Sequence, residues 1–176
     1  MSDHEVINKT TLKNYPSIIS VIVNDPLKDL KKHELIKKTK IKLNFSKVTI
    51  ELVENRPLFF NSQKNVIVLE NGLETINHYQ VPTLVNYVPD TIYDDYVKKM
   101  GLITSEILGR ISEIKYAPDT VDESRFLLTM SDGNYVYLTL TRFDKLNSYV
   151  NVIKEFPGKK GILYLNAGNS FEVLEK

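Results

Sequence analysis

Phe126-Leu127-Leu128-Thr129-Met130, Ser131-Asp132-Gly133-Asn134, Tyr135-Val136-Tyr137-Leu138-Thr139-Leu140 is the stretch that decides how this chain is read. Two runs of apolar, aromatic and β-branched residues flank an Asp-Gly turn, the clearest hairpin signal in the sequence. After it, Arg142 to about Glu155 predicts a helix with Phe143, Leu146, Tyr149, Val150 and Ile153 on its core stripe. Two closing strands, Gly161–Leu165 and Ser170–Leu174, are expected around Asn166-Ala167-Gly168-Asn169.

Before the hairpin, Ile111–Tyr116 alternates as a half-buried strand should. Asp90 to Met100 predicts a helix with Ile92, Tyr93, Tyr96, Val97 and Met100 at helical spacing, Asp90 as its cap and Gly101 as its breaker. A second helix is expected from about Thr104 to Arg110. Pro82–Val85 reads as a short extended piece, and Val66–Leu69 as a strand running into the Asn71-Gly72 turn.

The first sixty residues read as helix, helix, strand, strand. Ser2 and Glu5 stand in capping-box register, and Pro16 ends that region. Asp25-Pro26 opens a second short helix. Thr39, Ile41 and Leu43 alternate with lysines as a strand with one wet face, Phe45-Ser46-Lys47 turns, and Val48, Ile50 and Leu52 face inward on the next strand. Pro57 to Asn61 is expected to close this module. The fold class is therefore α+β. Residues 1–60 carry a charge of +4 and residues 61–176 a charge of −3, which fits two modules better than one.

Composition narrows the chemistry. With no cysteine there is neither a disulfide framework nor a zinc-thiolate site. No run approaches the roughly 20 apolar residues that span a bilayer; the longest apolar cluster, Ile18–Val23, is broken by Ser20. His4-Glu5 and His33-Glu34 begin like a zinc-protease motif, but Asn8 and Lys37 stand where the second histidine must lie. Exposed helix-end residues are the better reading there. No nucleophile elbow or glycine-rich phosphate loop occurs, so no cofactor and no metal are expected.

With histidines only at 4, 33 and 78, a general base has to be a carboxylate, and the acidic group Asp90, Asp94 and Asp95 complements a helix dipole without implying a cation. The lysine-rich stretch Lys28–Lys47, with Lys37, Lys38, Lys40 and Lys42 at its centre, fits a solvated strand face, with an anionic surface as the other reading. It has no arginine and a single phenylalanine, against nucleic-acid binding. The ten tyrosines read as core residues with hydroxyls at the rim.

The order of these elements resembles the FtsQ/DivIB family of bacterial division proteins over almost the whole chain, and the Lys- and Asn-rich usage fits a DivIB-like member. Ser2–Ile7, Leu30-Lys31-Lys32, Leu35–Ile41 and Val48–Leu58 look like the latter part of a POTRA module. Pro82-Thr83-Leu84, Ile111-Ser112-Glu113-Ile114, the Asp132-Gly133 hairpin, Lys145-Leu146 through Tyr149, and Gly161–Phe171 follow in the family's order, the last like its closing β pair.

The resemblance implies a partial POTRA module at 1–60, lacking its first strand, and a mixed or antiparallel β domain with flanking helices at 61–176. It implies a non-catalytic, single-pass membrane protein at the division septum, with this region outside the cytoplasm and the anchor in a segment absent from this sequence. Its expected partners are FtsL and FtsB/DivIC-type proteins, with the septal peptidoglycan synthase complex as a further one. Carried over by position, the partner surface is Leu165, Ala167, Gly168, Ser170, Phe171 and Val173, with Phe171 as the aromatic anchor. The alternative is a POTRA-type chaperone or docking module of a secretion or membrane-assembly system.

Overall fold

The computed structural model describes residues 3–10, 25–33, 35–44, 47–166 and 168–174. The chain divides into two compact units, Met1–Arg56 and Pro57–Lys176.

The first unit opens with helix α1 (Asp3–Asn8); Ser2, Pro16 and Ile18–Val23 lie outside the described residues. Asp25 accepts a hydrogen bond from the Leu27 amide at 3.2 Å, and a 3₁₀ turn follows at Leu30–Lys32. Strands β1 (Ile36–Asn44) and β2 (Lys47–Glu54) pair antiparallel, with Ile41 opposite Ile50. Leu27, Leu30 and Ile36 form a small buried core, against which Val6, Ile41, Ile50 and Leu52 pack. The far end of the ribbon runs past this core, and Leu43 is exposed.

Pro57–Asn61 does not close that module. It forms β3, hydrogen-bonded inside the larger sheet, so the boundary expected after residue 60 falls at Arg56. Leu58 and Phe59 are fully buried among side chains of the second unit, and that burial places the segment there.

The second unit is a nine-stranded mixed sheet. Its strands are β3, β4 (Val66–Leu69), β5 (Glu74–Thr75), β6 (Thr83–Leu84), β7 (Ile111–Tyr116), β8 (Arg125–Met130), β9 (Tyr135–Thr139), β10 (Gly161–Tyr164) and β11 (Ser170–Val173). Across the sheet they run β11-β10-β9-β8-β7-β6-β3-β4-β5. Helices α2 (Asp90–Met100) and α3 (Ser105–Leu108) connect the parallel pair β6 and β7. A 3₁₀ segment, Leu140–Ser148, and helix α4 (Tyr149–Lys154) connect the parallel pair β9 and β10. A parallel pair needs such a crossover, whereas β8 and β9 are joined by the Asp-Gly turn with Gly133 at φ +85°.

Strand alternation decides which face is buried. Phe126, Leu128 and Met130 on β8, Val136 and Leu138 on β9, and Leu163 on β10 enter one core with Tyr96, Met100, Phe143 and Leu146. Its centre is aromatic: Tyr96 stacks on Phe126 at 4.9 Å between centroids and meets Phe59 at 5.1 Å, while Phe143 stands edge-on to Phe126 at 5.3 Å. Such pairs add about 0.5–1.5 kcal/mol each beyond their area.

Three local expectations are corrected. Ile111 and Ile114 are both buried although three positions apart, because a bulge between Ile111 and Glu113 resets the strand's phase. The helix expected from Arg142 is 3₁₀ up to Ser148, with Arg142 kinked at φ −118°. Leu140, Phe143, Leu146 and Tyr149, spaced by threes, are all buried, and three residues per turn align such a row. At α2 the cap position is Pro89, Asp90 is the first helical residue, and its amide donates to the Tyr87 hydroxyl at 3.3 Å.

Candidate functional site

The β10–β11 end of the sheet is held from three sides. Asn134, buried at the hairpin turn, accepts the Gly161 amide at 2.9 Å through Oδ1 and donates to the Tyr149 hydroxyl at 3.1 Å. Tyr149 Oη in turn donates to the Asp132 carboxylate at 2.8–2.9 Å. This network joins the turn, α4 and the start of β10. Burial first, and the Asp132 carboxylate next, push the Tyr149 hydroxyl well above the ordinary tyrosine range. At the other end of β10 the Leu165 amide donates to the Tyr137 carbonyl at 2.7 Å, and Arg142 donates to the Leu165 carbonyl at 3.1 Å.

β11 is the edge. It pairs with β10 antiparallel, with Gly161 opposite Val173, Ile162 opposite Glu172, Leu163 opposite Phe171 and Tyr164 opposite Ser170. The Leu174 amide donates to the Lys160 carbonyl at 2.9 Å, which sets the parity of the ladder. In an antiparallel pair, backbone groups alternate between facing the partner and facing away. Ser170 and Glu172 therefore bond toward β10, while the N–H and C=O groups of Phe171 and Val173 point outward. Among the described residues no strand pairs with that outer side.

The side chains divide the same way. Phe171 lies on the helix-side face, half-buried, its ring 4.5 Å from that of Phe156. Val173 is 39% exposed. On the open face, Glu172 accepts a hydrogen bond from the Tyr164 hydroxyl at 2.8 Å. The Tyr164 ring stacks on Tyr137 at 5.7 Å, and the Arg125 guanidinium covers the far side of that row, 4.7 Å from the Tyr137 ring. Arg125 is itself ion-paired to Asp119. The hydrogen bond to Glu172 leads the causes that raise the Tyr164 hydroxyl above the usual tyrosine range.

The expected partner residues separate under this geometry. Leu165 is 2% exposed and its backbone is engaged within the domain, so it supports the edge and does not line it. Ala167 lies outside the described residues. Gly168 has φ +147°, a conformation nearly reserved for glycine, and open space where a Cβ would sit, so the turn and not close packing requires it. Ser170 and Val173 are exposed, and Phe171 divides itself between the core and the edge.

Sequence reasoning passed over Glu172 and Tyr164. The signal was their alternation with Phe171, Val173 and Leu163, which puts them together on the open face once pairing is known.

Elsewhere, Lys37, Lys38, Lys40 and Lys42 are all exposed on β1, and Lys42 is ion-paired to Glu51. A cavity of about 570 Å³ lies near the opposite sheet edge; Phe60, Ile67, Thr75, His78 and Tyr79 are among its lining residues. Among the described residues no three of His, Asp and Glu are grouped to hold a metal. No helix there is long and apolar enough to cross a membrane.

A mixed sheet whose last strand has no neighbour on its outer side among the described residues, crossed over by helices, defines an α+β module. No family model matches the chain. Cell division protein DivIB of Bacillus subtilis (strain 168) is 29% identical over 158 residues, covering 85% of this chain and 60% of that protein. DivIB of Bacillus cytotoxicus is 26% identical over 185 residues, covering 99% and 72%, and that of Listeria monocytogenes 25% over 183 residues, covering 98% and 68%.

The major extracytoplasmic domain of the trans isomer of DivIB from Geobacillus stearothermophilus, a solved structure, is 25% identical, covers 57% of this chain and 92% of that one, and has a TM-score of 0.48. Over most of its length the chain is thus similar to DivIB cell division proteins. It spans 60% of the length of the Bacillus subtilis relative.

Proposed function

We propose that this chain is a non-catalytic interaction region of a bacterial division protein, and that it helps assemble septal peptidoglycan synthesis by binding FtsL and FtsB/DivIC-type partners. The observation that carries the reading is the outer edge of β11, where the backbone groups of Phe171 and Val173 face outward with no strand against them among the described residues. An extended partner segment satisfies those groups by adding a strand, and side chains on alternate positions set its specificity. The names of the relatives support the division role. Residues 1–56 act as a POTRA-like module, and the whole protein sits in the cell membrane with this region outside the cytoplasm.

Within this reading, Ser170, Phe171 and Val173 meet the partner, Gly168 and Ala167 shape the approach, and Leu165 holds the edge from below. Lys37, Lys38, Lys40 and Lys42 face anionic wall or lipid surface. The test is co-purification with the FtsL and FtsB/DivIC-type proteins of the same bacterium. Binding by the native chain and its loss in Val173→Pro is the expected result. Binding that survives Val173→Pro, or no binding at all, overturns the reading.

A further inference from the structure

The edge carries more than unpaired backbone. Glu172 stands at the middle of β11, exposed, with its carboxylate on the open face. Its hydrogen-bond partner there is the neutral Tyr164 hydroxyl, and among the described residues no cation is ion-paired to it. The row Asp119, Arg125, Tyr137 and Tyr164 backs that hydroxyl, so the carboxylate is held in place before any partner arrives. The other face of the strand offers the half-buried Phe171 ring, packed against Phe156, and the exposed Val173 side chain.

We propose that the outer edge of β11 takes an extended partner segment with a lysine or arginine opposite Glu172 and apolar residues opposite Phe171 and Val173. This rests on the edge-pairing reading above and specifies the chemistry of its occupant. Because Phe171 and Val173 turn their backbone groups outward, Glu172 sits at a non-hydrogen-bonded position with respect to an antiparallel incoming strand. Cα atoms are closest there, about 4.5 Å apart, and side chains interact most strongly. A cation in that position meets the free oxygen of Glu172 and reaches the Tyr164 ring.

The same residue argues against a second copy of this chain as the occupant. Antiparallel self-pairing centred on Glu172 sets two like charges directly opposite each other, which is destabilising. Charge at this one position thus favours a basic partner and opposes edge-to-edge dimers.

The test uses the full chain, labelled with nitrogen-15, and two capped seven-residue probes that alternate valine with lysine or valine with glutamate. The lysine probe is expected to shift the Phe171 and Val173 amides and to bind about fivefold more tightly than the glutamate probe. Glu172→Lys is expected to reverse the preference, while Glu113→Lys, on the same face but away from the edge, leaves it intact. Equal binding of the two probes, a preference unchanged in Glu172→Lys, or no shift at several millimolar probe overturns the proposal. Val173→Pro separates the two levels. If it abolishes both probes while the native chain shows no charge preference, edge pairing stands and the basic-partner inference falls. If both probes bind Val173→Pro as before, edge pairing falls as well. A native dimer in sedimentation velocity that Val173→Pro dissolves overturns the heterologous occupant.

Discussion

The Phe171 ring occupies the space that a β-carbon on Gly161 would need. A Cβ built there lies 2.6 Å from Phe171 Cζ and 2.1 Å from the Glu172 carbonyl oxygen. Gly161 is thus fixed by close approach of the neighbouring strand, at a position where the sequence shows only an unremarked glycine opening β10. Gly161→Ala is expected to cost on the order of 2–3 kcal/mol in urea unfolding, through overpacking against backbone that cannot yield. Loss of amide protection along β11 should precede global unfolding.

That contact also changes how Phe171 is to be probed. Because the ring is half-buried against Phe156, Phe171→Ala should cost roughly 1–2 kcal/mol of stability by itself. Weaker partner binding by that variant therefore counts only after its folded fraction has been measured.

Val173→Pro is the cleaner edge probe. Its amide faces away from β10, so proline removes an outward donor and leaves the β10–β11 ladder whole. Thermal unfolding should place it within about 0.5 kcal/mol of the native chain, while the strand addition proposed above for an FtsB/DivIC-type partner is lost.

The Asn134–Tyr149–Asp132 network predicts an alkaline weakness. The folded Tyr149 hydroxyl ionises above the ordinary value of about 10, so the unfolded chain gives up its proton first. Stability conferred by the protonated hydroxyl is present below about pH 10 and declines as pH rises beyond it. Tyr149→Phe should flatten part of that decline. At pH 7 it should cost about 1–2 kcal/mol, since Asn134 and Asp132 lose a buried partner. Urea titrations at pH 7 and pH 10.5 check both.

Tyr96 behaves in the opposite sense. Its hydroxyl is fully buried with no hydrogen-bond partner among the described residues, and burial drives its ionisation far up. Tyr96→Phe keeps the stack on Phe126 and deletes the stranded hydroxyl. The expected outcome is unchanged stability or a gain of up to about 1 kcal/mol, read from urea midpoints. The expectation that tyrosine hydroxyls reach the rim fails at this residue.

Residue order alone determined the elements whose signal is local: the Asp132-Gly133 hairpin, helix α2 and the pairing of β10 with β11. Turn chemistry and side-chain period are properties of a few neighbouring residues, and a sequence carries them directly. The 3₁₀ segment was not read from the sequence: Leu140, Phe143, Leu146 and Tyr149 recur by threes, but helical spacing of 3.6 accommodates most of the same residues. Tertiary structure alone decided that Pro57–Asn61 joins the larger sheet, that Leu165 is buried, and that Glu172 meets Tyr164 at an unpaired edge. Each of these depends on which strand lies beside which, a relation set by burying one shared core across long sequence separations.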